Sequence, residues 1–160
     1  MAISFVRVDD RVIHGQIVTA WSKEFSCDGI IGIDDKIAND PVLVNVFKGA
    51  ATGVKVWLFD VDTAIEKLPK VIASDKKYFV IAKNPMTLKR VVDGGISLDN
   101  LNNNKIIVGP MHFREGGKTI GPNACIIQED IIAFDCLEKK HTIEFKLVPT
   151  SKPYYWKDVK

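Results

Sequence analysis

Cysteine is scarce in this chain and carries no pattern. Cys27, Cys125 and Cys136 are odd in number and include no CxxC. That excludes a disulfide framework and a thiolate zinc site, and it fits reduced thiols acting as small apolar side chains. A dominant charge is lacking too. Lys and Arg number 22 against 20 for Asp and Glu, so there is no broad electrostatic footprint for nucleic acid and no nucleic-acid partner is expected. No apolar run approaches the roughly eighteen residues of a membrane span. The opening MAISFVRVDD is charged by Arg7 and has no apolar signal core, so a soluble cytoplasmic protein is the expectation. Internal repeats and low-complexity tracts are absent. His14, His112 and His141 show no HxxxH spacing, and no GxSxG marks a hydrolase serine, so neither a metal nor another cofactor is expected. GGKT, at 116–119, has the ending of a P-loop, but GxxxxGK[ST] needs glycine where His112 stands.

What is present is a regular alternation. The 160 residues, 46% of them hydrophobic, suffice for one sizeable core, and residues 1–160 are read as a single domain. AISFVRV at 2–8 is short and β-branched, and after Gly15 the spacing of Ile17, Ala20, Trp21 and Phe25 turns helical. DGIIGIDD reads as a buried strand. NDPVLVNVFKGAA follows as a helix with Asn39 or Asp40 as cap, Pro41 in the first turn, and Val42, Leu43, Val46, Phe47 and Ala50 on one face. VKVWLFD and VDTAIEKLPKVIAS form a third unit, with Pro69 expected to end or kink the helix. KYFVIAK and NPMTLKRVVDGG form a fourth, capped by Asn84 and stopped by Gly94 and Gly95. KIIVGPM and ACIIQ read as strands flanking a loop at 112–123, then EDIIAFDCLEKKH as a helix and IEFKLVPT as a last strand in which Ile143, Phe145 and Leu147 alternate. DNLNNNK is a polar turn. The predicted fold is α/β, an open and mainly parallel sheet with helices on both faces.

In such sheets ligands gather at the carboxyl ends of strands, where DDRVIHGQ falls. A histidine between a strand and a helix lies where free N–H groups and the helix dipole favour an anion such as phosphate. Arg7 and Arg11 add guanidinium forks, with Arg7 inside the strand pattern, and Gly15 permits close approach of the backbone. Cations nearby favour a neutral, nucleophilic imidazole at His14; Asp9 and Asp10 favour the charged form, or orient an arginine, or fix the tautomer. From the PMHFREGGKT segment, His112, Arg114 and Lys118 are candidates to flank the same site, against a plain turn. Val12, Ile13 and Phe113 are either docking side chains or core. His141, at a helix end, reads as a cation complementing the dipole.

Read as a whole, VRVDDRVIHGQIVTAW closely resembles the phosphorylation segment of IIB components of the mannose, fructose and sorbose type in the bacterial sugar phosphotransferase system. IIGIDDKIANDP, VKVWLFDVDTAIEKL and VGPMHFREGGKTI extend the likeness along nearly the whole chain in order. The resemblance implies a IIB phosphocarrier domain with a parallel α/β sheet and a phosphotransferase role. His14 is then the residue phosphorylated, on Nδ1, by a phosphohistidine of a separate IIA protein or domain. It passes the phosphoryl group to a sugar arriving through a membrane IIC–IID complex, at which the cytoplasmic chain docks. Arg11 matches the position supporting the phosphoryl group. Asp10, Gly15 and Gln16 belong to the same loop, and Arg7, Asp9, His112 and Arg114 are candidates for its surroundings. Mannose, fructose, sorbose and amino sugars all remain open as substrates, as does a homo-oligomer. Two other classes compete: a module that binds phosphorylated partners without covalent transfer, and a small hydrolase with His14 as general base.

Overall fold

Runs of apolar and β-branched residues form the strands. The computed structural model describes residues 2–160 and contains β1 (Ile3–Val8), β2 (Gly29–Ile33), β3 (Lys55–Phe59), β4 (Tyr78–Ala82), β5 (Lys105–Val108), β6 (Lys118–Ile120), β7 (Ala124–Ile126), β8 (Thr142–Phe145) and β9 (Tyr154–Tyr155). Seven of them make one sheet in the order β3-β2-β4-β1-β5-β8-β9. All its pairings are parallel except β8 with β9. β6 and β7 pair separately and antiparallel.

A π-helical turn, Ile17–Trp21, runs into the short α1 (Ser22–Glu24), and the other helices are α2 (Asp35–Ala38), α3 (Pro41–Gly49), α4 (Val61–Ile72), α5 (Pro85–Asp93), α6 (Gln128–Glu138) and α7 (Trp156–Val159). Caps fix where the longer helices start. The Asp40 carboxylate accepts from the Val42 and Leu43 amides, so of the two candidate caps it is Asp40 that starts α3. Asp60 and Asn84 cap α4 and α5 in the same way.

The two faces of the sheet carry two cores. On one, Val8, Ile33, Val80 and Ala82 pack against Leu68 of α4, Leu88 and Val91 of α5, Phe134 of α6 and Trp156 of α7. On the other, Phe5, Ile30, Phe79 and Ile107 pack against Ile17 and Trp21, with Ile37 of α2 and Leu43 and Phe47 of α3. An irregularity in the β1–β4 register between Ile3 and Phe5 explains why Ile3 shares a core with Val6 rather than with Phe5. Among the described residues no helix is long and apolar enough to cross a membrane.

Several local expectations differ from what is found. Only Leu43 and Phe47 of the expected α3 stripe pack inward; Val42 and Val46 are 70% and 60% exposed, and Ala50 is exposed too. α3 lies over the edge strand β3, so one i, i+4 row covers the surface available. Pro69 lies inside α4, which continues to Ile72. The second strand stops at Ile33 because Asp34 turns to cap α2. The segment 112–123 is not all loop, since it contains β6. The last long strand ends at Phe145 and leaves Leu147 outside it. The asparagine turn is built from left-handed residues, Asn100, Asn102, Asn103 and Asn104 all having positive φ, a conformation asparagine tolerates.

Leu88→Ala is expected to lower the unfolding free energy by about 2–5 kcal/mol. Val42→Ser, on the exposed side of α3, is expected to change it by less than about 0.5 kcal/mol. Equilibrium urea unfolding measures both.

Candidate functional site

β1 lies between β4 and β5 at the centre of the sheet. The helical turn after β1 packs on one face, whereas the chain leaving β4 and β5 builds α5 and α6 on the other. The carboxyl end of β1 is therefore a topological switch point, the place where open α/β sheets hold ligands.

Asp9 emerges there fully buried. Its Oδ2 accepts from Arg7 Nε at 3.0 Å, from an Arg11 terminal nitrogen at 3.2 Å and from His14 Nε2 at 3.0 Å. Its Oδ1 accepts from the Arg11 amide at 2.9 Å and from Arg11 Nε at 3.2 Å. Burial alone would raise the Asp9 carboxyl. Hydrogen bonds from His14 and Arg11 and the charge of Arg7 outweigh it and hold the group well below the usual carboxylate range. An ionised carboxylate only accepts, so His14 Nε2 must carry the ring proton and Nδ1 is left with the lone pair.

Arg7 shares this face of the sheet with Asp9. It too is fully buried, and burial lowers its pKa while Asp9 opposes that effect. Its remaining nitrogens donate to the carbonyls of Lys146 and Leu147 at 2.9 and 3.0 Å, and its guanidinium lies 5.0 Å from the Trp21 ring centre. Both carbonyls lie just beyond β8, so the strand ends early where its backbone turns to Arg7. Arg11 is half-exposed, and its last nitrogen reaches Gln16 Oε1 at 3.3 Å.

The loop between Asp9 and His14 is tightly drawn. The Val12 amide donates to the Asp9 carbonyl, and Val12 has φ 55, a left-handed conformation costly for a β-branched residue. Its side chain is buried against Gly32 of β2, where an added Cβ would come within 2.8 Å of it. Val12 and Ile13 are thus core residues rather than docking ones. The His14 carbonyl accepts from Ile17 and Val18 at the start of the π-helical turn, and π-turns recur at functional sites. His14 keeps 16% side-chain exposure. An added Cβ at Gly15 would meet nothing within 4 Å, so packing makes no demand for glycine there.

Asp10 faces the other wall. Its Oδ2 accepts from the His112 amide at 2.5 Å and contacts His112 Nδ1 at 2.8 Å, and its carbonyl accepts from Lys83 Nζ at 3.1 Å. His112 therefore joins the rim. Arg114 does not: its guanidinium bonds the Cys125 carbonyl and Asp130 at the start of α6, because that helix's acidic first turn competes for it. Lys118 is an exposed residue opening β6. Phe113 is 82% exposed. His141 is buried, and burial lowers its pKa against the pull of Asp99, which favours the neutral ring over the expected cation.

Sequence reasoning missed Gly109. A Cβ there would lie 2.4 Å from an Arg7 terminal nitrogen and 2.7 Å from Asp9 Oδ2, so only glycine lets β5 end against this ion pair. Gly109 follows directly after β5, but nothing in the sequence shows that this strand neighbours β1. Lys83 closes the KYFVIAK strand, at the kind of strand end where ligands gather in such sheets. A cavity of about 700 Å³ between α4 and β3 is lined by Trp57, Phe59, Lys70 and Tyr78 and shares no residue with this site.

Residues 3–159 match the model of a family described as the PTS system sorbose subfamily IIB component. The sorbose-specific EIIB component of Lacticaseibacillus casei is 36% identical over 135 residues, covering 84% of this chain and 79% of that protein. The mannose-specific EIIAB component of Escherichia coli K12 is 31% identical over 141 residues, covering 88% of this chain and 42% of that protein. Among solved structures, the IIBSor domain of the sorbose permease from Klebsiella pneumoniae superposes with a TM-score of 0.87 at 28% identity, covering 99% of this chain and 95% of that one.

Asp9→Asn leaves Arg7 as a buried cation without its counter-ion and is expected to cost about 3–5 kcal/mol near neutral pH. The folded pKa of Asp9 lies below its unfolded value. Its contribution is therefore present above about pH 3.9 and is lost as pH falls from there through the depressed folded pKa. Urea unfolding across pH should show the gap between wild type and variant narrowing only on that acid limb.

Proposed function

The chain belongs to the sorbose subfamily of IIB components of the phosphotransferase system, and from that premise we propose that it is a cytoplasmic phosphocarrier working through His14. In this reading Nδ1 of His14 takes a phosphoryl group from the phosphohistidine of a IIA protein or domain. It then yields the group to a sugar translocated by a membrane IIC–IID complex, so that uptake is coupled to phosphorylation. One observation carries the proposal: the Asp9 bond to Nε2 leaves Nδ1 as the nucleophilic nitrogen of a partly exposed ring. The relative whose name joins A and B components supports a IIA donor.

The residues divide the work. When the Nδ1 lone pair bonds to phosphorus, the donor N–P bond breaks and its electron pair returns to the donor imidazole. The His14 ring, still protonated at Nε2, gains positive charge, and the buried Asp9 carboxylate stabilises it. That charge later makes the ring a good leaving group: the sugar oxygen bonds phosphorus, the N–P electrons return to Nδ1, and the hydroxyl proton passes to solvent. Arg11 serves the equatorial phosphoryl oxygens by exchanging its long bond to Gln16 for one to phosphate. The first-turn amides at Gly15 and Gln16, which a helix start leaves without intrahelical partners, add donors. Arg7 acts only through Asp9, and His112 and Asp10 shape the opposite rim.

Incubation with the phosphorylated IIA protein is expected to place an acid-labile, alkali-stable phosphate on His14. His14→Ala should abolish that label, and Arg11→Ala should slow its appearance roughly 10²-fold while leaving the fold intact. Labelling that survives His14→Ala would refute the assignment.

A further inference from the structure

Phe113 is the most exposed of the large apolar side chains, yet both of its neighbours are fastened. On one side the His112 amide and ring are held by Asp10. On the other the Arg114 side chain is tied to the Cys125 carbonyl and Asp130, while its carbonyl accepts from Gly117. Met111, one residue further back, exchanges backbone bonds with Asn123 and Cys125. The ring is thus held out into solvent by a loop that is not free to fold it away. An aromatic on a backbone already pinned adds only its own two side-chain torsions to the entropy lost on being covered, which suits an interface anchor.

Its position is tied to His14 through two adjacent residues, since Asp9 bonds the His14 ring and Asp10 holds His112. We propose that Phe113 is the apolar anchor on which the phosphoryl-donor protein docks, its ring entering an apolar pocket beside the donor's phosphohistidine. This rests on the phosphocarrier reading. Transfer between two imidazoles requires the donor surface to close over the rim around His14, and Phe113 stands on that rim. The half-exposed Arg11 guanidinium complements the doubly charged phosphoryl group arriving with it.

The test compares two donors on full-length protein: purified phosphorylated IIA protein, and phosphoramidate, which phosphorylates imidazole chemically and has no pocket. Phe113→Ala should raise KM for the IIA protein at least about tenfold with kcat little changed, leave phosphoramidate labelling of His14 unaltered, and leave Tm unaltered. Phe113→Leu should recover most of the loss. An unchanged KM for the IIA protein overturns the proposal, as does equal slowing with both donors, which would mean that Phe113 acts on His14 itself. Slowed delivery to sugar in membrane vesicles with donor kinetics intact also overturns it, by assigning the anchor to the acceptor. If neither donor labels His14 in the wild type, the phosphocarrier reading itself has failed, a result distinct from all of these.

Discussion

The site depends on one buried carboxylate. Asp9 fixes the proton of His14 on Nε2, orients Arg11 through both side-chain and backbone contacts, and neutralises the buried Arg7. Two guanidinium groups against one carboxylate leave the cluster with a net positive charge beside the imidazole. Of the roles the sequence posed for an aspartate, orienting an arginine and fixing the tautomer, the bonds of Asp9 serve both. Asp9 is committed to its partners and out of solvent.

A buried ion pair needs more than its Coulomb attraction to offset desolvation. Here the rest is supplied by the fold. The Lys146 and Leu147 carbonyls satisfy the outer nitrogens of Arg7, its guanidinium carbon lies over the Trp21 ring, and Gly109 leaves the space that a side chain would fill. These contributions come from β5, from the end of β8 and from the helical turn after β1. The strained Val12 is the local counterpart: with its side chain locked against Gly32, the loop turns sharply enough to bring His14 back over Asp9.

The alternation of strands and helices was legible because their periods alternate along the chain and because Asn84, and Asn39 or Asp40, read as caps. His14, Arg11 and their place at a strand end were legible for the same reason. The order of the strands was not, since periodicity says nothing about which strand lies beside β1. So the partnership of Arg7 with residues 146 and 147, some 140 positions away, stayed hidden. Arg114 shows the converse: its residue type suited a phosphoryl site, but the acidic first turn of α6 claims it. Val42 and Val46 show that a helical apolar stripe marks a candidate face, while the width of sheet beneath it decides how much is buried.

The most direct test is the tautomer of His14 in the unphosphorylated protein, read by long-range ¹H–¹⁵N correlation of the imidazole at a pH where the ring is neutral. The Asp9 bond predicts a protonated Nε2 and an unprotonated Nδ1. A protonated Nδ1 with a bare Nε2 would contradict it and remove the basis for transfer through Nδ1.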